Sequence, residues 1–296
     1  MIHGPETRFY KYFSTDGSIA TLDNMTLKWT SPNAFNDPFE FPDAMDFKFN
    51  GRQLASALLD EIVEMAYGPD EPQGNPNHSF IAVARLTRNN PRKPTADDFR
   101  AFMAQESKRT ARRFEQGLNK RRNFLRKFRS NFAVLCLTEN KQNLLMWAHY
   151  AQDHKGCVFQ LRCLPELDRP LCAARKVNYV REYPIISGVD TYVKHLTGQS
   201  ELDYNNLFDI FAFTKSSHWS YESEWRCVSQ LRNLETGVDF DPLVPDELEA
   251  IYLGCRSEPD YIENVIELVR RNAPNTKVYK AHADIQDYSM QFTELR

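Results

Sequence analysis

Three charged residues, Glu222, Glu224 and Arg226, alternate through the segment YESEWR. A two-residue period sets them on one face of a strand, with Tyr221, Ser223, Trp225 and Cys227 on the other. With a partner carboxylate two residues earlier and an arginine two residues later on the same face, Glu224 is the leading carboxylate for catalysis or ligand binding, with Glu222 beside it. The same spacing suits a plain ion pair that orients a sheet edge. Near the start, Arg8, Tyr10 and Lys11 offer two cations and an aromatic wall; Arg8, Lys155 and Arg226 have the donors to hold a pyrophosphate. Trp147, Tyr150 and His154 recur near helical spacing and present stacking surfaces for adenine, nicotinamide or an exposed base, while His149 points elsewhere or into the same cleft. A core-helix role competes for Trp147. Asn36 and Asp37 are either loop architecture or a ligand-facing acceptor pair. Ser31 has no GxSxG setting and is no nucleophile by that signal.

Other chemistries lack their signatures. Neither GxGxxG nor GxxxxGK[ST] occurs, which disfavours a Rossmann or phosphate-loop site. The six cysteines have no CxxC spacing and His149 and His154 form no HxxxH pair, so no metal is expected. Cys136 and Cys157 sit in apolar strand settings, as neutral thiols would. A formal charge of -3 gives no global attraction to nucleic acid. Lys108 to Arg129 is the local exception: its cations, interrupted by Phe114, Leu118, Phe124, Leu125 and Phe128, read as an amphipathic surface helix or as a surface for a nucleic acid or protein partner. The segment MIHGPETRFYKYF lacks a secretory pattern and no run approaches the roughly twenty apolar residues of a membrane span, so no membrane partner and a reducing cytoplasm are expected.

These residues need a sheet to hold them. The pattern predicts strands over Thr7 to Phe13, Leu22 to Trp29 (after a turn), Phe132 to Leu137, Cys157 to Leu161, Val177 to Val180, HWSYESEWRCVSQ, Ala250 to Leu253 and Val278 to Ala281. Helices are expected over Gln53 to Tyr67, from Ser79 with Phe80, Val83 and Leu86 in register, and from a Thr95 cap into the basic stretch. Further helices are expected over Leu144 to His154, Val189 to Leu196, Leu207 toward Lys215, and Tyr261 to Arg270. TSPNAFNDPFEF should be an ordered loop anchored by Phe35 and Phe39, and Gly156 should supply a left-handed helix end. The fold class is α+β: a mixed, mainly antiparallel sheet in one domain over residues 1–296, with a helical insertion over 52–130.

The blocks RFYKYF, LKWTSPNAFNDPFEF, LTENKQNLLMWAHYAQDHKGCVFQL and HWSYESEWRCV, completed by AIYLGC and VYKAHAD, together resemble the bacterial family called domain of unknown function 2971. That family supplies no settled reaction. A more distant resemblance is to the ADP-ribosyltransferase fold, in which a first strand with a polar residue, an aromatic-polar strand and helix, and a late glutamate surround NAD. Tyr10 and Lys11, the WTSP entrance, the WAHYA helix and Glu222 or Glu224 stand in the corresponding places, and Arg8 is the residue able to take the first-strand basic role. The resemblance implies NAD as a dinucleotide substrate, with Glu224, Glu222 and Tyr150 in the reaction and Arg8, Tyr10, Lys11, Ser31, Asn36, Trp147, His149, His154 and Arg226 around the ligand. Two other classes stay open. One is a nucleic-acid-processing or nucleic-acid-sensing protein, with YESEWR carboxylates holding a metal; the other is a nonenzymatic interaction protein of a bacterial defence or mobile-element system.

Overall fold

The almost continuously apolar run FAVLCLT has no polar face to turn outward, so it belongs inside a sheet covered on both sides. In the computed structural model, which describes residues 3–4, 6–41, 47–105, 107–202, 204–284 and 286–296, this run is β3 (Phe132–Thr138). The chain contacts divide into two compact units, residues 1–41, 129–182 and 212–296, and residues 42–128 and 183–211.

The first unit holds the sheet. Its strands are β1 (Arg8–Phe13), β2 (Thr26–Thr30), β3, β4 (Cys157–Arg162), β5 (Arg175–Lys176), a small parallel pair of β6 (Asn178–Val180) with β7 (Thr214–Ser216), β8 (Glu224–Gln230), β9 (Val238–Pro242), β10 (Leu248–Leu253), β11 (Lys277–Asp284) and β12 (Ser289–Glu294). The main order is β12-β11-β10-β4-β1-β3-β2-β9, and β8 adds to β3 and carries β5. All pairings in this large sheet are antiparallel except β10 with β11. The class is therefore α+β.

Alternation builds two cores on this sheet. Phe9, Phe13, Leu135, Leu137, Phe159 and Ile251 join Leu22 of α1 (Thr15–Asn24) and Val265, Leu268 and Val269 of a carboxy-terminal helix (Pro259–Asn272) in one cluster. Tyr12, Val158, Ala250 and Tyr252 join Met146, Trp147 and Ala151 in the other. β3 pairs with β8 along its whole length, from Phe132 with Gln230 to Thr138 with Glu224. Its pairing with β1 is at Tyr10 with Thr138, and with β2 at Thr30 with Val134. Between those two points the strands part, and side chains take over from the ladder.

The second unit contains α2 (Gly51–Tyr67), α3 (Ser79–Arg88), α4 (Ala96–Gln105), most of α5 (Ser107–Arg129), and α7 (Val189–Leu196), with α6 (Leu144–Tyr150) lying in the first unit. Asn50 and Gln53 form a capping box at α2, and Leu54, Leu58 and Leu118 share a core with Tyr192 and Val193.

Several expectations change. Residues 15–24 form a helix where the pattern gave no element before the turn at Leu22, because the Ser14 hydroxyl accepts from the Gly17 amide and Leu22 faces the core. Phe41 is buried and meets Phe35 edge-on at 5.6 Å, whereas Phe39 is 67% exposed and anchors nothing. On α3 the buried residues are Ile81 and Ala84, with Val83 and Leu86 facing outward. Thr95 caps α4, accepting from the Asp98 amide at 3.1 Å, before the basic helix begins. The side chain of Leu125 lies outside the described residues. The α6 helix stops at Tyr150, and Gln152, Asp153 and His154 themselves take left-handed φ values of 50°, 54° and 67°. Lys215 is on a strand, Glu222 ends a 3-10 turn (Ser217–Glu222), and β9 and β12 are strands that residue pattern did not reveal.

Gly156 has a different reason from a left-handed turn: a Cβ there would lie 2.0 Å from the Phe13 carbonyl oxygen. Replacing Gly156 by Ala should lower stability by about 2–4 kcal/mol, read as a lower urea midpoint. An unchanged midpoint would show that the two backbones part easily.

Candidate active site

The parting of β1 and β2 from β3 opens a cavity of about 480 Å³, within the range of small-ligand sites. Tyr10, Lys11 and Tyr12 line it from β1, Lys28 and Thr30 from β2, and Cys136 and Thr138 from β3. The ordered loop contributes Phe35, Asn36 and Glu40; α6 contributes His149 and Tyr150; and Lys215, Glu222 and Glu224 complete the wall. Lys11 donates to the Cys136 carbonyl at 3.0 Å, satisfying β3 backbone between its two contacts with β1 and β2. Enclosure, with Lys28 nearby, pulls the Lys11 ammonium below the usual lysine range.

Three carboxylates, Glu40, Glu222 and Glu224, converge on two cations, Lys215 and Arg226, and all five are buried. The Arg226 guanidinium grips Glu224 with two bonds, Nε at 2.8 Å and Nη2 at 2.9 Å, and Nη2 also donates to Glu40. Its Nη1 donates to the Ala212 carbonyl at 2.9 Å. Lys215 Nζ reaches Glu222 at 2.5 Å, Glu40 at 2.9 Å and Glu224 at 3.2 Å. Tyr150 donates to the other oxygen of Glu222 at 2.6 Å, and the Thr138 hydroxyl donates to the Glu222 carbonyl at 2.6 Å. The Ser223 left-handed turn, φ 45°, lets Glu222 and Glu224 approach one lysine from two different elements.

Burial acts to raise the Glu224 carboxyl, but Arg226 and Lys215 outweigh it and hold the group at about 2. Burial dominates at Glu40, whose carboxyl is raised in spite of Arg226 and Lys215. Burial works against both cations, yet the surrounding glutamates raise Lys215 and Arg226 above their ordinary values. Tyr150 is raised by burial and by the Glu222 carboxylate it serves, so it stays a hydrogen-bond donor. Glu224 is thus a fixed anion and Tyr150 a fixed donor at neutral pH.

Of the residues expected around a ligand, Tyr10, Lys11, Asn36, His149, Tyr150, Glu222 and Glu224 come together in the cavity wall. The other five do not line it. Arg8 is paired with Glu249. Ser31 caps the 3-10 turn at Pro32–Ala34 by accepting from the Asn33 amide. Trp147 is fully buried, donates to the Lys141 carbonyl at 2.8 Å and packs against Tyr12. His154 lies parallel to the Trp147 ring in the turn after α6, with its imidazole lowered by burial. Arg226 is completely enclosed and positions Glu224 and Glu40 in place of touching a ligand.

Glu40 and Lys215 are the members that residue pattern missed. Each is a lone charge beside an apolar run, FEF and FAFTK, and a charge in such company needs a buried partner. The acidic face of YESEWR is engaged by Lys215 and Arg226, and among the described residues no group of three or more His, Cys, Asp or Glu is arranged to hold a metal ion. Burial raises the Cys157 thiol to about 12 and raises Cys136 well above its usual range.

The fold and site define an α+β protein with a buried carboxylate–cation cluster facing a ligand-sized cavity. Residues 146–227, which carry Tyr150, Lys215, Glu222, Glu224 and Arg226, match the model of the family described as "Protein of unknown function (DUF2971)". No curated protein and no solved structure matches the chain. Among the described residues no helix is long and apolar enough to cross a membrane.

Two outcomes test the cluster. Arg226→Met should cost about 3–5 kcal/mol in urea unfolding, since it leaves Glu224 and Glu40 buried without their main partner; a cost below about 1 kcal/mol would contradict the pairing. Glu224 has a depressed folded-state pKa, so its stabilisation is present above the unfolded value near 4.5 and is lost as pH falls toward 2. Raised Glu40 runs the other way and makes the slope shallower. Unfolding midpoints should fall between pH 5 and pH 2 in the wild type, and fall less in Glu224→Gln; equal slopes would remove Glu224 from the account.

Proposed function

We propose that this cavity binds NAD and breaks its N-glycosidic bond, passing the ADP-ribosyl group to water or to an acceptor. The observation that carries the reading is the excess of anion in the cluster: three buried carboxylates against two cations beside a cavity walled by Tyr10, Tyr150 and His149. A cationic aromatic ring suits such walls, and a developing positive charge suits such a floor. Lys28 gives the cavity a cationic edge and Lys11 an amine donor, which suit a pyrophosphate. The ligand called for is bipolar, as a nicotinamide dinucleotide is.

In the reaction, the bond from the ribose anomeric carbon to the nicotinamide nitrogen breaks, and its electron pair leaves with neutral nicotinamide. Positive charge spreads over the anomeric carbon and ring oxygen, where Glu224, held ionised by Arg226 and Lys215, stabilises it. Glu222, oriented by Tyr150 and Lys215, is suited to hold a ribose hydroxyl. A nucleophile then forms the new bond to that carbon and releases a proton, and Glu40 has its proton affinity increased by burial to receive it.

Released nicotinamide, followed chromatographically with NAD alone and with protein and nucleic-acid acceptors, tests the reading. Turnover should drop about 100-fold or more in Glu224→Gln and by about 10-fold in Tyr150→Phe, which keeps the ring but loses its hydrogen bond to Glu222. No NAD binding together with no release under any of these conditions would overturn it.

A further inference from the structure

Helix α5 carries ten Lys and Arg residues and one acid in SKRTARRFEQGLNKRRNFLRKFR. A solvated helix ordinarily carries both signs, as Pro259–Asn272 does with Asp260, Glu263 and Glu267 before Arg270 and Arg271. The one acid of α5 is not available to its neighbours on the outer face: Glu115 accepts from the Gly51 amide at 2.7 Å and pairs with Arg122. Gly51 is where α2 meets α5, since a Cβ there would lie 2.2 Å from the Ala111 carbonyl oxygen. That close crossing fixes which way α5 faces.

Ala111, Phe114 and Leu118 turn inward. At 3.6 residues per turn the opposite face collects Arg109, Arg113, Gln116, Lys120, Phe124 and Lys127, a stripe about 27 Å long. All six are exposed. Among the described residues Arg109, Arg112, Arg113 and Lys120 make no ion pair. Phe124 stands in the same stripe, 64% exposed, with its ring stacked on Phe128 at 5.8 Å and 20° between planes. A large exposed aromatic among cations adds a stacking platform to a phosphate track. Charge alone fits any polyanion; charge with a presented ring fits a nucleic acid whose bases are unpaired.

We infer that the outer face of α5 binds single-stranded nucleic acid, with Arg109, Arg112, Arg113 and Lys120 along the phosphates and a base on Phe124. The inference rests on the second unit alone and is independent of the cavity. Full-length protein, titrated into a fluorescein-labelled 20-nucleotide oligouridylate and the matching oligodeoxythymidylate, should raise anisotropy at low salt, the two arms separating RNA from DNA. With about four phosphate contacts, log affinity should fall with log salt at a slope near -3, and Arg109→Gln with Arg113→Gln should reduce that slope by about 1.4. Phe124→Ala should weaken single-strand binding at least about 5-fold and leave binding to heparin unchanged. Thermal unfolding and circular dichroism of each variant identify any that fail to fold, and Phe124→Tyr, which keeps a ring, should restore binding. Absence of binding at low salt, tighter binding of an oligodeoxythymidylate–oligodeoxyadenylate duplex than of the single strand, or equal oligonucleotide affinity with and without the Phe124 ring would each overturn the inference.

Discussion

The fork of Arg226 into Glu224 and Glu40 is the interaction on which the site depends. A guanidinium with no exposure to water is tolerated because every side of it is occupied: two bonds to Glu224, one to Glu40, one to the Ala212 carbonyl, and the rings of Phe35 and Phe41 against its plane. Remove the fork and two carboxylates lose their main counter-charge in a dry setting. Such clusters are poor sources of stability, since desolvation consumes most of the Coulomb attraction. What this one accomplishes is placement. It joins the loop carrying Glu40 to the strand carrying Glu224, and Lys215 ties both to Glu222.

The sheet supplies the space. A β3 paired along its length on both sides would leave no room beside Cys136, but β1 and β2 each touch it at one residue pair and then diverge. Lys11 satisfies backbone where the ladder is interrupted, through the Cys136 carbonyl. The same divergence lets β1 present Tyr10 and Tyr12, which point to one face, and Lys11, which points to the other, to a common cavity. The cavity lies at this interruption of the sheet.

Residue pattern reveals the parts of this arrangement that are local. The period-two spacing of Glu222, Glu224 and Arg226 and the apolar run of β3 both correspond to real features, as do α2, α7 and the carboxy-terminal helix. Glu222 nevertheless sits on a 3-10 turn, because Ser223 adopts a left-handed conformation that no side-chain alternation encodes. α1 was hidden by its weak amphipathicity, with Ser18, Thr21 and Leu22 as its buried residues. Glu40 and Lys215 are invisible to motif reasoning since Glu40 meets Arg226 across 186 residues of sequence and Lys215 meets Glu40 only when the loop folds over the strand. The aromatic stripe of α6 misled in the opposite direction: Trp147 and His154 have ligand-like chemistry and are spent on packing.

The central claim is that the carboxylate cluster faces the reacting ribose of a bound dinucleotide. A crystal structure of Tyr150→Phe soaked with NAD tests it most directly, because that variant keeps Arg226, Lys215 and all three glutamates in place. The nicotinamide ring should lie between Tyr10 and His149, with a ribose hydroxyl on Glu222 and the anomeric carbon facing Glu224. NAD bound away from these residues, or a cavity that stays closed to it at saturating concentration, would contradict the account.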